Sequence, residues 1–165
     1  MAELTNLETK LGEVTGLAMA AKAATKKVSS LAKKEGAGVL VKDLDRMHAD
    51  ASETEKRCTA LAGTFDGKKT AILDEARTVK AKGAEMMATY LDEDADALDG
   101  FEFLTMAEAG EVGHWSVLKT LNDRAGHAEI ASLVAWALPI QEGHLKGAMA
   151  ASVLLAGSED PNAAA

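Results

Sequence analysis

The segment LTMAEAGEVGHWSVLKTLNDRAG, residues 104–126, places Leu104, Ala107, Glu111, His114, Leu118, Leu121 and Ala125 at alternating steps of three and four, then stops at Gly126. Steps of three and four keep side chains on one stripe of an α-helix, and a glycine just past the last stripe residue is a helix stop. Strict alternation of this kind is the mark of a helix packed nearly parallel to its neighbours.

The same spacing extends in both directions. Toward the C-terminus it runs through Ile130, Val134, Ala137, Gln141, His144, Ala148, Ala151 and Leu155, closed by Gly157 and Pro161. Toward the N-terminus a stripe from Ile72 through Ala76, Val79, Gly83 and Met86 to Tyr90 runs into the acidic segment Asp92 to Asp99, which suits the start of the next helix. Leu40, Leu44, Met47, Ala51, Thr54, Cys58 and Leu61 form another stripe, bounded by Gly63 to Gly67. A first stripe from Leu4 to Ala32 ends at Gly36 and Gly38. Short turns between long helices make sequential neighbours antiparallel. The predicted fold is all-α: an up-and-down antiparallel bundle of about five long helices, one domain over residues 1–157, with residues 158–165 expected to be a disordered Ala-rich tail.

Composition agrees. With 165 residues the chain can bury roughly 70% of the surface its unfolded form exposes. Only 4% of residues are aromatic and two are proline, a mixture that favours helix over strand. The net charge of -8 argues against nucleic acid or an anionic membrane as partner. The one basic stretch carries Lys22, Lys26, Lys27, Lys33 and Lys34 toward the end of the first helix, where cations meet the negative end of the helix dipole, and it reads as a solvated face. A single cysteine, Cys58, allows no internal disulfide. The N-terminus lacks an apolar core segment and no run of 18 apolar residues occurs, so neither export nor membrane insertion is expected and the chain reads as cytoplasmic.

Four stripe positions are polar or ionisable: Glu111, His114, Gln141 and His144. Buried polar groups must be satisfied by one another or by an ion. The turn near residue 127 sets Glu111 level with His144 and His114 level with Gln141. Counting across the turns near 98 and 64 brings Glu85 and the Asp45 to His48 segment to the same height. Residues spaced i, i+3 on one helix face can chelate a single ion or straddle a pair, and two histidines with a carboxylate are a minimal non-haem iron ligand set. The sequence-derived metal candidates are therefore Glu111, His114, Gln141, His144, Glu85 and His48; no catalytic residue is assigned. Gly110 and Gly113 on one helix and Gly143 and Gly147 on the next are expected to let the two backbones approach closely, and Pro139 to kink the last helix. Met47, Met86 and Cys58 read as core.

AEAGEVGHW (107–115) followed by LVAWALPIQEGHL (133–145), each within one helix of a hairpin, resembles the second half of the ferritin-like superfamily, in particular small bacterial stress-associated ferritin-like proteins. The likeness covers residues 100 to 156, and the first hundred residues only in architecture. It implies that Glu111 takes the place of a bridging carboxylate and that Gln141 with His144 takes the place of a Glu-x-x-His pair. Gln141 departs from that pattern, and the first helix has no carboxylate at the level of His48. Glu85, Glu108, Glu142 and Asp45 are the remaining carboxylates that could help. The implied function is a metal-binding protein for iron or manganese, in metal handling or oxidative-stress protection, with a ferroxidase-type or peroxide-consuming activity, assembled as a homodimer or higher homo-oligomer. The alternative is a metal-free bundle serving as a structural or protein-interaction module.

Overall fold

The computed structural model of the chain describes residues 2–163. They form α1 (Asn6–Lys34), α2 (Gly38–Ala62), α3 (Lys69–Tyr90), α4 (Ala97–Ala125) and α5 (Ala128–Ala156). Helix starts and stops follow local chemistry. Thr5 and Glu8 form a reciprocal capping box at the start of α1. The acidic segment before α4 supplies another, from Asp96 and Asp99. Such a pair satisfies backbone N–H groups that have no partner within the helix. At the end of α4, Gly126 adopts the left-handed conformation (φ 77°) and its N–H donates to the Asn122 carbonyl, a stop that disfavours residues with a Cβ. α5 continues through Pro139 as one helix. Residues 157–163 form exposed turns after α5; residues 164 and 165 of the expected tail lie outside the described residues.

The helices do not pack in simple chain order. α1 with α2 and α4 with α5 form antiparallel hairpins, and the hairpins stack so that α1 meets α4 and α2 meets α5. Lys22–Glu55 joins α1 to α2, Glu13–His114 joins α1 to α4, and the Arg57 guanidinium lies 4.0 Å from the centre of the Trp136 ring across α2 and α5. α3 departs from the up-and-down expectation. It meets α2 and α4 only slightly and lies against the outside of α1, running parallel to it. The reason is in the glycines of α1. A Cβ on Gly12 would stand 2.8 Å from the Ile72 carbonyl oxygen, and one on Gly16 2.4 Å from that of Ala76, so two bare backbone turns let α3 sit directly on α1. α3 therefore works as a long crossover between the hairpins, and of its stripe only Ile72 and Ala76 are buried.

The core falls into two apolar clusters. One is built around Val28, Leu44, Phe101, Leu104 and Ala148, the other around Leu11, Cys58, Ile72, Trp115, Leu118 and Ile130. Burying each large apolar side chain contributes roughly 1.5–3 kcal/mol. On α4 and α5 the residues between the clusters are Glu108, Glu111, Gln141 and His144, all buried. The bundle thus has an apolar core at each end and a polar layer between.

Candidate functional site

The stripe on α4 is rotated from the one read in sequence. Leu104, Glu111 and Leu118 are buried as expected, but the positions alternating with them are Glu108, Trp115 and Asn122, in place of Ala107, His114 and Leu121. Both sets alternate three and four and share every seventh residue. The large Trp115 side chain takes the core position, which carries Glu108 inward on one side and turns His114 outward. On α5, Gln141 and His144 are buried where the stripe placed them.

The layer is a connected set. His144 Nε2–H donates to Asp50 Oδ2 of α2 at 2.9 Å, and its Nδ1 lies 3.7 Å from Glu108 Oε2. Orienting the Gln141 amide with its nitrogen toward the carboxylates lets it donate to Glu108 Oε2 at 3.0 Å and Glu111 Oε2 at 3.3 Å; the reverse orientation would set oxygen against oxygen. Glu108 and Glu111 are 1% and 3% exposed, so both carboxyls are withdrawn from water with one imidazole and one amide to compensate them. Burial pushes the Glu111 carboxyl well above the ordinary carboxylate range, and the charge of Glu108 pushes it further. Burial acts on His144 in the opposite sense, disfavouring its cation, but the carboxylates of Glu108 and Asp50 outweigh it and raise its pKa above 6.5. Cys58 lies below the layer, its thiol pushed up to about 12, chiefly by burial.

Three sequence candidates lie elsewhere. His114 is half-exposed, and its Nδ1 lies 3.0 Å from Glu13 Oε2 and 3.4 Å from Lys10 Nζ on α1, so it belongs to a surface ion cluster. His48 turns toward α1: its Nδ1–H donates to the Lys22 carbonyl at 3.0 Å. Glu85 is exposed on α3, because α3 lies outside the four-helix arrangement that encloses the layer. Asp45 and Glu142 are exposed as well. Asp50 sits one position before Ala51 on the α2 stripe, at the edge of the buried face, where helical spacing does not single it out. Glu108 carried a signal, the second three-and-four series through Glu108, Trp115 and Asn122.

The glycines of α4 and α5 do not bring those helices together. A Cβ on Gly110, Gly113, Gly143 or Gly147 would meet nothing within 4 Å. Instead they leave the surface open. A 250 Å³ cleft between α1, α3 and α4 passes Gly110 and reaches Glu108 and Glu111. A 210 Å³ groove between α2 and α5 passes Gly143 and Gly147 and reaches His144. The layer can be approached from both sides.

Among the described residues, no three His, Cys, Asp or Glu side chains are gathered in a group that could hold a metal ion as they stand. No helix among them is long and apolar enough to cross a membrane. Searches against protein-family models, curated proteins and solved structures find no match for this chain.

Proposed function

We propose that the chain is a ferritin-like metal-binding protein whose buried layer takes a divalent ion, iron or manganese, at Glu108 and His144. The observation that carries this reading is the 3.7 Å separation of Glu108 Oε2 and His144 Nδ1. That gap is too long for a hydrogen bond between two groups withdrawn from water. It lies near the roughly 3.4 Å that two donors about 2.1 Å from one tetrahedral ion keep between them, so a small approach of the two side chains would let both reach an ion. His144 would coordinate through Nδ1 while its Nε2–H stays on Asp50, an arrangement that fixes ring orientation and tautomer in metal sites. Two carboxylates and an imidazole are donors suited to iron or manganese, and a dication offsets the buried negative charge. Glu111, one turn from Glu108, becomes a third donor by giving up its hydrogen bond to Gln141. Two hairpins joined by one long crossover is also the connectivity of ferritin-like bundles.

Iron or manganese at this position would supply redox and Lewis-acid chemistry toward dioxygen or peroxide. The chain's own part is to orient His144 through Asp50, to keep Glu108 and Glu111 away from bulk water, and to admit small molecules through the clefts beside Gly110 and Gly143.

A second reading rests on the continuity of the Asp50, His144, Glu108, Gln141 and Glu111 contacts, with no three-ligand group among the described residues. In it the layer is a polar network, hydrogen-bonded at Asp50–His144 and around Gln141 and joined by the longer His144–Glu108 ion contact, that sets helix register in a metal-free structural or interaction module. Metal analysis of protein expressed with added iron or manganese separates the two. The first reading expects about one ion per chain, lost in His144→Ala, and Co(II) absorption bands on titration of the metal-free protein. It also expects Gln141→Glu, which adds an anionic donor, to bind more tightly. A wild type that is metal-free as purified and silent to Co(II), Fe(II) and Mn(II) at millimolar concentration leaves the network as the function of the layer.

A further inference from the structure

The cleft between α1, α3 and α4 differs in chemistry from the layer at its base. Its 250 Å³ are walled by Leu17 of α1, Met86 of α3, and Phe103 and Met106 of α4, and no lysine or arginine lines it. Met86 and Met106 are exposed, on two helices that barely meet. Methionine suits a surface that takes apolar ligands, because its side chain is flexible and polarizable. His114 also borders the cleft, but its ring is engaged with Glu13 and Lys10. Apolar along its walls, the cleft ends at two carboxyls, Glu108 and Glu111.

Those carboxyls are unequally compensated. Glu108 has the His144 imidazole at 3.7 Å, whereas Glu111 has only the Gln141 amide, 3.3 Å from its Oε2. Glu111 Oε1 accepts no hydrogen bond from the described residues, although the residue is almost wholly buried. It is not sealed off either: among the described residues the polar side-chain atoms enclosed without a partner are the Ser29 hydroxyl and the Trp115 indole N–H. A nearly buried acceptor that lines a cleft and lacks a donor calls for one from outside the protein. Burial and the charge of Glu108 both press Glu111 toward its neutral form, and a cation beside the pair offsets their repulsion. A small inorganic ion leaves the apolar walls unused. An organic cation with a short apolar tail uses both parts of the cleft, and a primary ammonium brings the missing donors.

We propose that this cleft binds a primary alkylamine, its ammonium on Glu111 and Glu108 and its chain along Leu17, Met86, Phe103 and Met106. The site is independent of the metal reading and is tested on metal-free protein, so a layer that takes no ion leaves it untouched. Hexylamine is the probe, with butylamine, hexanol and hexanoate as comparisons at neutral pH, followed by calorimetry and by the amide shifts of Gly83 and Gly110. Hexylamine is expected to bind saturably and at least about tenfold more tightly than hexanol, and hexanoate not at all. Each methylene added from butylamine to hexylamine should tighten binding about threefold, the factor that burial of one methylene supplies. Glu111→Gln should weaken hexylamine by at least about tenfold and erase its advantage over hexanol. Gly110→Leu sets a side chain into the open space beside that glycine and should abolish binding with both carboxyls intact. It replaces an exposed glycine within a helix, so an unchanged helical spectrum and a melting temperature no lower than wild type are expected. No saturable binding by about 10 mM, equal binding of hexanol, no dependence on chain length, or wild-type affinity in either variant would each overturn the proposal.

Discussion

Asp50 and His144, 94 residues apart in the chain, meet at 2.9 Å and tie the first hairpin to the second. Nε2 must carry the hydrogen of this contact, because the carboxylate can only accept. That leaves Nδ1 as the nitrogen facing Glu108.

Removing the carboxylate should therefore be felt at His144. Asp50→Ala is expected to lower the His144 pKa, read by NMR titration of its ring protons, since one of the two carboxylates holding it up is gone. Stability in urea should fall by about 1.5 kcal/mol, the low end for a charge-assisted hydrogen bond because Asp50 keeps part of its side chain in water. An unchanged His144 titration would mean that Glu108 alone governs the imidazole.

The pH dependence of the metal-free protein follows from Glu111. Its folded-state pKa stands well above the unfolded value of 4.5, so its contribution to stability is fully present below 4.5 and is lost as pH rises through the folded pKa. His144, raised above 6.5, adds a loss in the same direction, beginning near 6.5 and extending through its own folded pKa. Glu111→Gln replaces the acid by a neutral group of the same shape. In the presence of chelator it should melt higher than wild type at pH 8, with the gain shrinking toward pH 4. A variant less stable than wild type at pH 8 would contradict this.

Glycine substitutions should divide by location. Gly16→Ala places a methyl 2.4 Å from the Ala76 carbonyl oxygen, and backbone cannot turn aside as a long side chain can. Forcing α3 away from α1 should cost about 1–3 kcal/mol in denaturant titration, more than the helix propensity gained. Gly143→Ala meets open space and should instead stabilise by about 0.5–1 kcal/mol. Similar effects at the two sites would show that α1 and α3 are not in close contact.

Cys58 should be silent to thiol reagents in the native state at pH 8. It is fully buried, and a pKa of about 12 leaves almost no thiolate. Its labelling rate should track global unfolding across a denaturant series. Fast labelling in buffer would place it in a locally open segment.

Much of the fold is legible in the sequence because helix periodicity, caps and stops are local. The α2 stripe from Leu40 to Leu61 is buried at every position read from spacing, and the α5 stripe at every position up to Ala151. Gln141 and His144 are identified as buried polar groups for the same reason. What spacing leaves open is which of two interleaved seams faces inward when both share every seventh residue. On α4 that choice decided between His114 and Glu108, and the bulk of Trp115 in the shared core settled it. The position of α3 is non-local too, since it depends on how closely Gly12 and Gly16 let another backbone approach, and so Glu85 lies in water. Asp50 joins the layer only because α2 and α5 stand side by side, a neighbour relation that no count across the turns supplies. The sequence by itself determined the helices and the presence of a polar layer. Tertiary packing determined its members, because a side chain's partners depend on helix rotation and adjacency, which are set by contacts between segments far apart in the chain.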